Sequence, residues 1–311
     1  MGNNSLSIFQ KIFQYFSFRF KHRNELLLEY NHLLKGPWFL LKSAKQEKNI
    51  SRLLENQLEI TDDWSICVKA RGRYGSYQFI NTCVLDSLLV GLFICHIKFE
   101  NIHLLLQSDL TLNTIMTYLY AKKHDQAKAL WLIHLKLFDD HCKFKMSATV
   151  DVWSEVKDHL PMLRKLVCSK DHAEHESIYR EFQRYGDVMI LAETNGDPSL
   201  ILVHTDGMNT APPFNVKDGT FELQFLLLWK KMAGKHMVVC NKLVDRWFLH
   251  DSDELSDRNF SIDCANFRRD YSVYLAAYVK IPPGHKRVGI PVAEEGSRPD
   301  HGESAWHWTD V

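Results

Sequence analysis

The chain has 311 residues, enough for one large domain or two modest ones, and its lysines and arginines balance its aspartates and glutamates at 38 each, leaving no global field to recruit nucleic acid. Cys67, Cys83, Cys95, Cys142, Cys168, Cys240 and Cys264 form an odd set with no C-x-x-C pair. That argues against a disulfide framework or a zinc ribbon, and for a reducing compartment, cytosol or nucleus.

Residues 5–35 are expected to form one or two helices, since Ile8, Phe9, Ile12, Phe13, Phe16 and Phe20 recur at helical spacing. Lys11, Arg19, Lys21, His22 and Arg23 would suit a membrane surface, but an accessory helix packed on the main domain is favoured. No signal-peptide layout is expected, and Leu6 stands where a Met1-Gly2 myristoylation motif wants Ser or Thr. An apolar run of about eighteen residues is also missing, so no spanning helix is expected. Gly36-Pro37 breaks the pattern, and residues 1–60 are expected to be a helical extension.

From there to residue 281 a single α+β domain is expected. Trp64–Val68 alternates like a strand, and Arg71 to Gly75 reads as a turn. Cys83–Ile97 is too apolar for a surface helix and reads as a buried central one. Further helical patterns cover Asp109–Ala121, Gln126–Phe138 and Val152–Val167, the last interrupted by Pro161. The charged run Ser169 to Glu176 reads as a solvated connection. The remaining pattern is strand-like: Asp187–Ala192, Ser199–His204, Phe221–Trp229, His236–Lys242, Arg246–His250 and Val273–Lys280. Helices first and strands afterwards indicate segregated layers. Residues 282–311, rich in Pro, Gly and charge, read as a flexible tail.

Chemistry concentrates at Cys83, where a polar loop meets the apolar helix. Helix N-terminal N–H groups and an adjacent imidazolium both stabilise a thiolate. A thiol hydrolase also needs a base, a group that orients the base, and an oxyanion donor. His236, at the head of an apolar strand, is the candidate base, with His204 as rival and His250 as a weaker one. The hairpin after His236 returns Asp251, which can approach the imidazole Nδ1–H, and Asp253 is the alternative. Gln78 is the candidate oxyanion amide. Asn81 is a second choice, or a helix cap.

These residues carry a family resemblance. Asn81-Thr82-Cys83-Val84-Leu85-Asp86-Ser87-Leu88-Leu89 resembles the cysteine box of the ubiquitin-specific proteases, and Cys83-Val84-Leu85-Asp86 the version in the USP-like SUMO isopeptidase. Gly234-Lys235-His236-Met237-Val238-Val239 and Arg246-Trp247-Phe248-Leu249-His250-Asp251 resemble the family's histidine box and its continuation, and Tyr274–Val279 its closing strand. The match covers roughly residues 77–92 and 234–280, with Ile80 for the usual glycine, Gln78 for asparagine, and no paired cysteines of the family's zinc ribbon.

The resemblance implies a papain-like α+β fold in which a helical part presents Cys83 to an antiparallel sheet carrying His236 and Asp251, with Gln78 as the oxyanion amide. It implies hydrolysis after the terminal Gly-Gly of ubiquitin or a ubiquitin-like modifier such as SUMO, through a thioester, with the glycines threading a narrow channel. Neither metal nor cofactor is implied. The alternatives are a catalytically silent modifier-binding module, or a cysteine peptidase or acyltransferase acting on unrelated substrates.

Overall fold

The structure, a computed structural model, describes residues 68–74, 77–137, 149–168, 173–192, 196–209, 212–216, 220–232, 236–243, 246–253, 256–262 and 265–281. The readings for 1–60, 64–67 and 282–311, and the Gly234-Lys235 pair, lie outside these residues. Among the described residues no helix is long and apolar enough to cross a membrane.

The fold is mixed α+β. A hairpin, β1 (Gly72–Tyr74) and β2 (Tyr77–Ile80), leads into α1 (Cys83–Lys98). Helices α2 (Glu100–Gln107), α3 (Leu110–Tyr120) and α4 (His124–His134) follow. Strand β3 (Thr149–Asp151) then pairs in parallel with β2. The stretch read as a turn at Arg71 therefore carries a strand, because Gly72, Arg73 and Tyr74 find partners in Phe79, Gln78 and Tyr77.

Val152–Val167 is not one helix. After β3 comes only a single turn, α5 (Val156–His159), and then a 3-10 segment over Leu160–Leu166. Pro161 sits in the first turn of that segment, where its missing N–H is tolerated, but it would block a continuous α-helix. Ser169–Glu176 is likewise not all solvated connection. Helix α6 (Ala173–Phe182) begins within it and buries Ile178 and Phe182, four residues apart, against the main sheet. His175 is buried there, with its Nε2 2.7 Å from the Gly196 carbonyl oxygen.

The remaining elements are β4 (Asp187–Ala192), β5 (Pro198–Met208), β6 (Asn215–Val216), β7 (Phe221–Lys230), β8 (His236–Leu243), β9 (Arg246–Asp251), β10 (Ser256–Phe260), α7 (Ala265–Asp270) and β11 (Tyr271–Lys280). Together the strands make an eight-stranded antiparallel sheet in the order β10-β9-β8-β7-β11-β5-β4, with β6 on β7.

Both faces of this sheet are covered, which is why Phe225–Trp229 of β7 is an unbroken apolar run rather than an alternation. Phe225 and Leu227 face α1 and its companions; Leu226 and Leu228 face α6, Phe267 and Tyr278. Helix α1 lies so close to β7 that a Cβ on Gly91 would sit 2.7 Å from the Phe225 ring. Its far end is pinned by Lys98, whose ammonium donates to Gln224 Oε1 at 2.8 Å and to the Lys242 carbonyl at 2.6 Å.

Candidate active site

Cys83 is the first residue of α1 and is 8% exposed. Asn81, just before the helix, has φ +56°, a left-handed conformation that asparagine tolerates better than most residues. It does not cap the helix: its Nδ2 donates to Asp151 Oδ1 at 3.0 Å on β3. Thr82 occupies the cap position, and its hydroxyl donates to Asp86 Oδ2 at 2.6 Å rather than accepting from an N–H of its own helix.

The candidate base and the residue that would orient it come from the ends of neighbouring strands. His236 opens β8, Asp251 closes β9, and their side chains meet with Nε2 2.7 Å from Oδ1. The sequence reading aimed Asp251 at Nδ1, and the structure corrects this. Asp251 holds Nε2, and Nδ1 is the ring nitrogen left for the sulfur. Hydrogen bonds to Asp251 first and then to Cys83 raise the His236 pKa to about 9, outweighing the opposite pull of burial. Cys83, His236 and Asp251 are thus brought together in one relay.

Asp251 prevails over Asp253 for a geometric reason. Its carboxylate is 3% exposed and takes a hydrogen bond from Nε2, whereas Asp253 is 62% exposed and stands 3.6 Å from Nδ1. Burial would raise the Asp251 pKa, but hydrogen bonds from His236 and Lys230 outweigh it and hold the group well below the usual carboxylate range. His236, Asp251 and Asp253 each offer a donor atom within 4.8 Å of the others, a spacing a metal ion could use. Asp251, however, is already engaged through Oδ1 by His236 and the Asp253 N–H, and through Oδ2 by Lys230. A His–Asp relay accounts for the cluster.

The rival histidines fall elsewhere. His204 is on β5, which β11 and β7 separate from β8 by about 14 Å at the usual strand spacing, and its register leads across to Val239 rather than to His236. Its own partner is Asp206, at 3.6 Å. His250 is buried on β9, opposite Val239. Gln78 is in mid-strand on β2, opposite Arg73 and Thr149, with its side chain exposed while neighbouring Phe79 enters the core. No side-chain hydrogen bond holds it among the described residues.

Two other thiols are inert by comparison. Burial pushes Cys95 up to about 12, with Lys98 only partly opposing it, and pushes Cys240 well above its ordinary value.

Sequence reasoning missed the lock behind the nucleophile. Lys128 on α4 is fully buried, and its ammonium pairs with Asp86 Oδ1 at 2.7 Å. The same ammonium donates to the Lys69 carbonyl at 2.5 Å and to the Arg71 carbonyl. The 69–71 segment is further tied to Thr82, which accepts from the Arg71 N–H at 2.9 Å, and to the acid-bearing turn, where Ser252 O accepts from the Ala70 N–H at 3.3 Å. One strap therefore joins the helix of Cys83 to the turn of Asp251 and Asp253. A lysine inside an apolar helical pattern was the only sequence signal available.

Three half-buried rings stand at the same end of the sheet. Trp229, one residue before the Lys230–His236 cross-strand pair, lies on the α1 side of the sheet. Its ring is 5.5 Å from Tyr274 and 6.0 Å, edge-on, from Trp153. Tyr274 reaches that face because the β11 register shifts between Val273 and Leu275, so that Tyr274 and Leu275 both point toward α1. Trp153 follows β3, and its N–H donates to the same Asp151 oxygen that holds Asn81. Next to it the Ser154 hydroxyl, His159 and the Trp131 indole form a buried chain, with His159 Nε2 2.6 Å from Ser154 Oγ and the indole donating to His159 Nδ1 at 3.1 Å. Burial lowers the His159 pKa to about 4, so this histidine is a neutral structural link.

Neither a known protein family nor a curated protein matches the chain.

Proposed function

We propose that this protein is a cysteine peptidase with a papain-like arrangement of its site, acting on ubiquitin or a ubiquitin-like modifier. The observation that carries the reading is the relay from Asp251 through His236 to Cys83, built from a helix N-terminus and two strand ends. The Cys83 sulfur attacks the carbonyl carbon of the scissile bond. His236 gives its proton to the departing amine, leaving a thioester on Cys83. Water, deprotonated by His236, then releases the acid and restores the thiol. The Cys83 backbone N–H and the exposed Gln78 amide are the donors assigned to the oxyanion, each worth about 2–4 kcal/mol of barrier.

The modifier part of the reading rests on the cysteine and histidine boxes, and on the rings of Trp153, Trp229 and Tyr274 beside the His236 end of the sheet. In this reading the three rings would wall the narrow channel through which a Gly-Gly tail passes. A reducing compartment, cytosol or nucleus, is part of the same proposal, and the free thiols among the described residues, Cys83, Cys95, Cys168 and Cys240, are compatible with it.

The test is covalent capture by ubiquitin and SUMO probes carrying a carboxy-terminal electrophile. Wild-type protein is expected to form an adduct that Cys83→Ala does not. Failure of every such probe against protein whose Cys83 is intact and reduced would remove the modifier assignment.

A further inference from the structure

We propose that Lys230 is a fourth member of the site, a positioning residue that sets the orientation of Asp251 and, through it, the titration of the Cys83–His236 pair. This inference rests on the reading of Cys83 and His236 as a coupled catalytic pair.

The geometry is specific. Lys230 is the last residue of β7 and lies directly across from His236, the first of β8; Asp251 ends β9 on the other side of β8. The lysine reaches past the histidine, and its Nζ lies 2.5 Å from Asp251 Oδ2. The other oxygen, Oδ1, takes His236 Nε2 at 2.7 Å and the Asp253 N–H at 3.1 Å. With both oxygens engaged, the carboxylate cannot swing about its own bond, and the imidazole plane is fixed with it. Lys230 itself is mostly covered, at 19% exposed, so water screens the contact poorly.

The ammonium also acts electrostatically. The charged or titratable groups around His236 are Cys83 from α1, Asp251 from β9, Asp253 from the turn after β9, and Lys230 from β7. Among the described residues Lys230 supplies the only fixed positive charge in that set. It weakens the pull of Asp251 on an imidazolium and favours a thiolate on Cys83. Removing it stabilises the imidazolium and destabilises the thiolate, so both ionisations that bound the reactive state move to higher pH. A lysine that merely filled space would leave the two limbs where they are and lower only the height of the profile. Lys230 touches no reacting atom, so its part is positioning rather than catalysis.

The experiment is the rate of Cys83 alkylation by iodoacetamide as a function of pH, with the site of modification read by peptide mass mapping. Wild type, Lys230→Arg, Lys230→Met and Lys230→Gln are compared. Lys230→Met is expected to move both limbs upward by about half a pH unit, roughly threefold in each ionisation constant. Lys230→Arg is expected to stay with wild type. Lys230→Gln keeps a hydrogen-bond donor without the charge, is expected to shift like Lys230→Met, and serves if the methionine variant does not fold. A wild-type profile with two steps, both unshifted in the uncharged variants, would overturn the role of Lys230 alone. A wild-type profile of one ordinary thiol would overturn the coupled pair itself, and this inference with it.

Discussion

The molecule contains two aspartate–lysine pairs close to the nucleophile, and they behave in opposite ways. Asp86 and Lys128 are 1% and 0% exposed and sit behind Cys83, joined to a hydroxyl and two backbone carbonyls. Asp251 and Lys230 are 3% and 19% exposed and sit beside His236. Burial raises the Asp86 pKa to about 6, against the opposing pull of Lys128, whereas Asp251 is held below the usual carboxylate range. The difference lies in what each carboxylate meets. Asp86 receives one ammonium, which it shares with two carbonyls, and one hydroxyl. Asp251 receives an imidazole N–H, an ammonium and a backbone N–H. The lesson is that the first pair is a structural lock and the second a tuned part of the site.

The largest effect that separates them is on reactivity. Asp251→Asn removes the charge facing His236 and is expected to lower turnover of a modifier substrate by about a hundredfold or more. Single variants of the lock act on stability instead. Lys128→Met leaves Asp86 buried and unpaired, which costs about 3–5 kcal/mol in urea unfolding. The double change Asp86→Leu with Lys128→Met is expected to recover most of that loss, because a buried pair replaced by apolar groups is often neutral. A double variant as unstable as Lys128→Met would refute the lock.

The pH dependence of unfolding sharpens the contrast. His236 has its folded-state pKa raised to about 9, so its stabilising contribution is complete below its unfolded value near 6.5 and disappears as pH rises through about 9. Asp251 contributes the other way, above the ordinary carboxylate range, and its contribution is lost as pH falls. Asp86 has a raised folded-state pKa, so its ionisation costs stability as pH climbs from about 4 to about 6. Relative to wild type, the Asp86→Leu, Lys128→Met protein is expected to gain stability across that interval. The smallest effect is reserved for Asp253→Asn, under about threefold on turnover, since an exposed carboxylate 3.6 Å from the ring is largely screened.

The long apolar strands were legible in the sequence because a sheet covered on both faces leaves continuous runs, as in Phe225–Trp229 of β7. Cys83, His236 and Asp251 were legible because each marks an element boundary where chemistry is visible in residue type. The small sheet was not, since Gly72–Tyr74 and Thr149–Asp151 are three-residue strands whose pairing, not their composition, defines them. Lys128 and Lys230 look like surface lysines until distant segments fold over them; the two carbonyl partners of Lys128 lie 57 and 59 residues away. The choice between the two ring nitrogens of His236 is likewise a product of strand register, which no local pattern encodes.

The most direct test of the account is the rate at which iodoacetamide modifies Cys83 at neutral pH in wild type and in His236→Ala. If the imidazole prepares the sulfur, the rate falls by about tenfold or more in the variant while Cys168 reacts as before. Equal rates at Cys83 in the two proteins would contradict it.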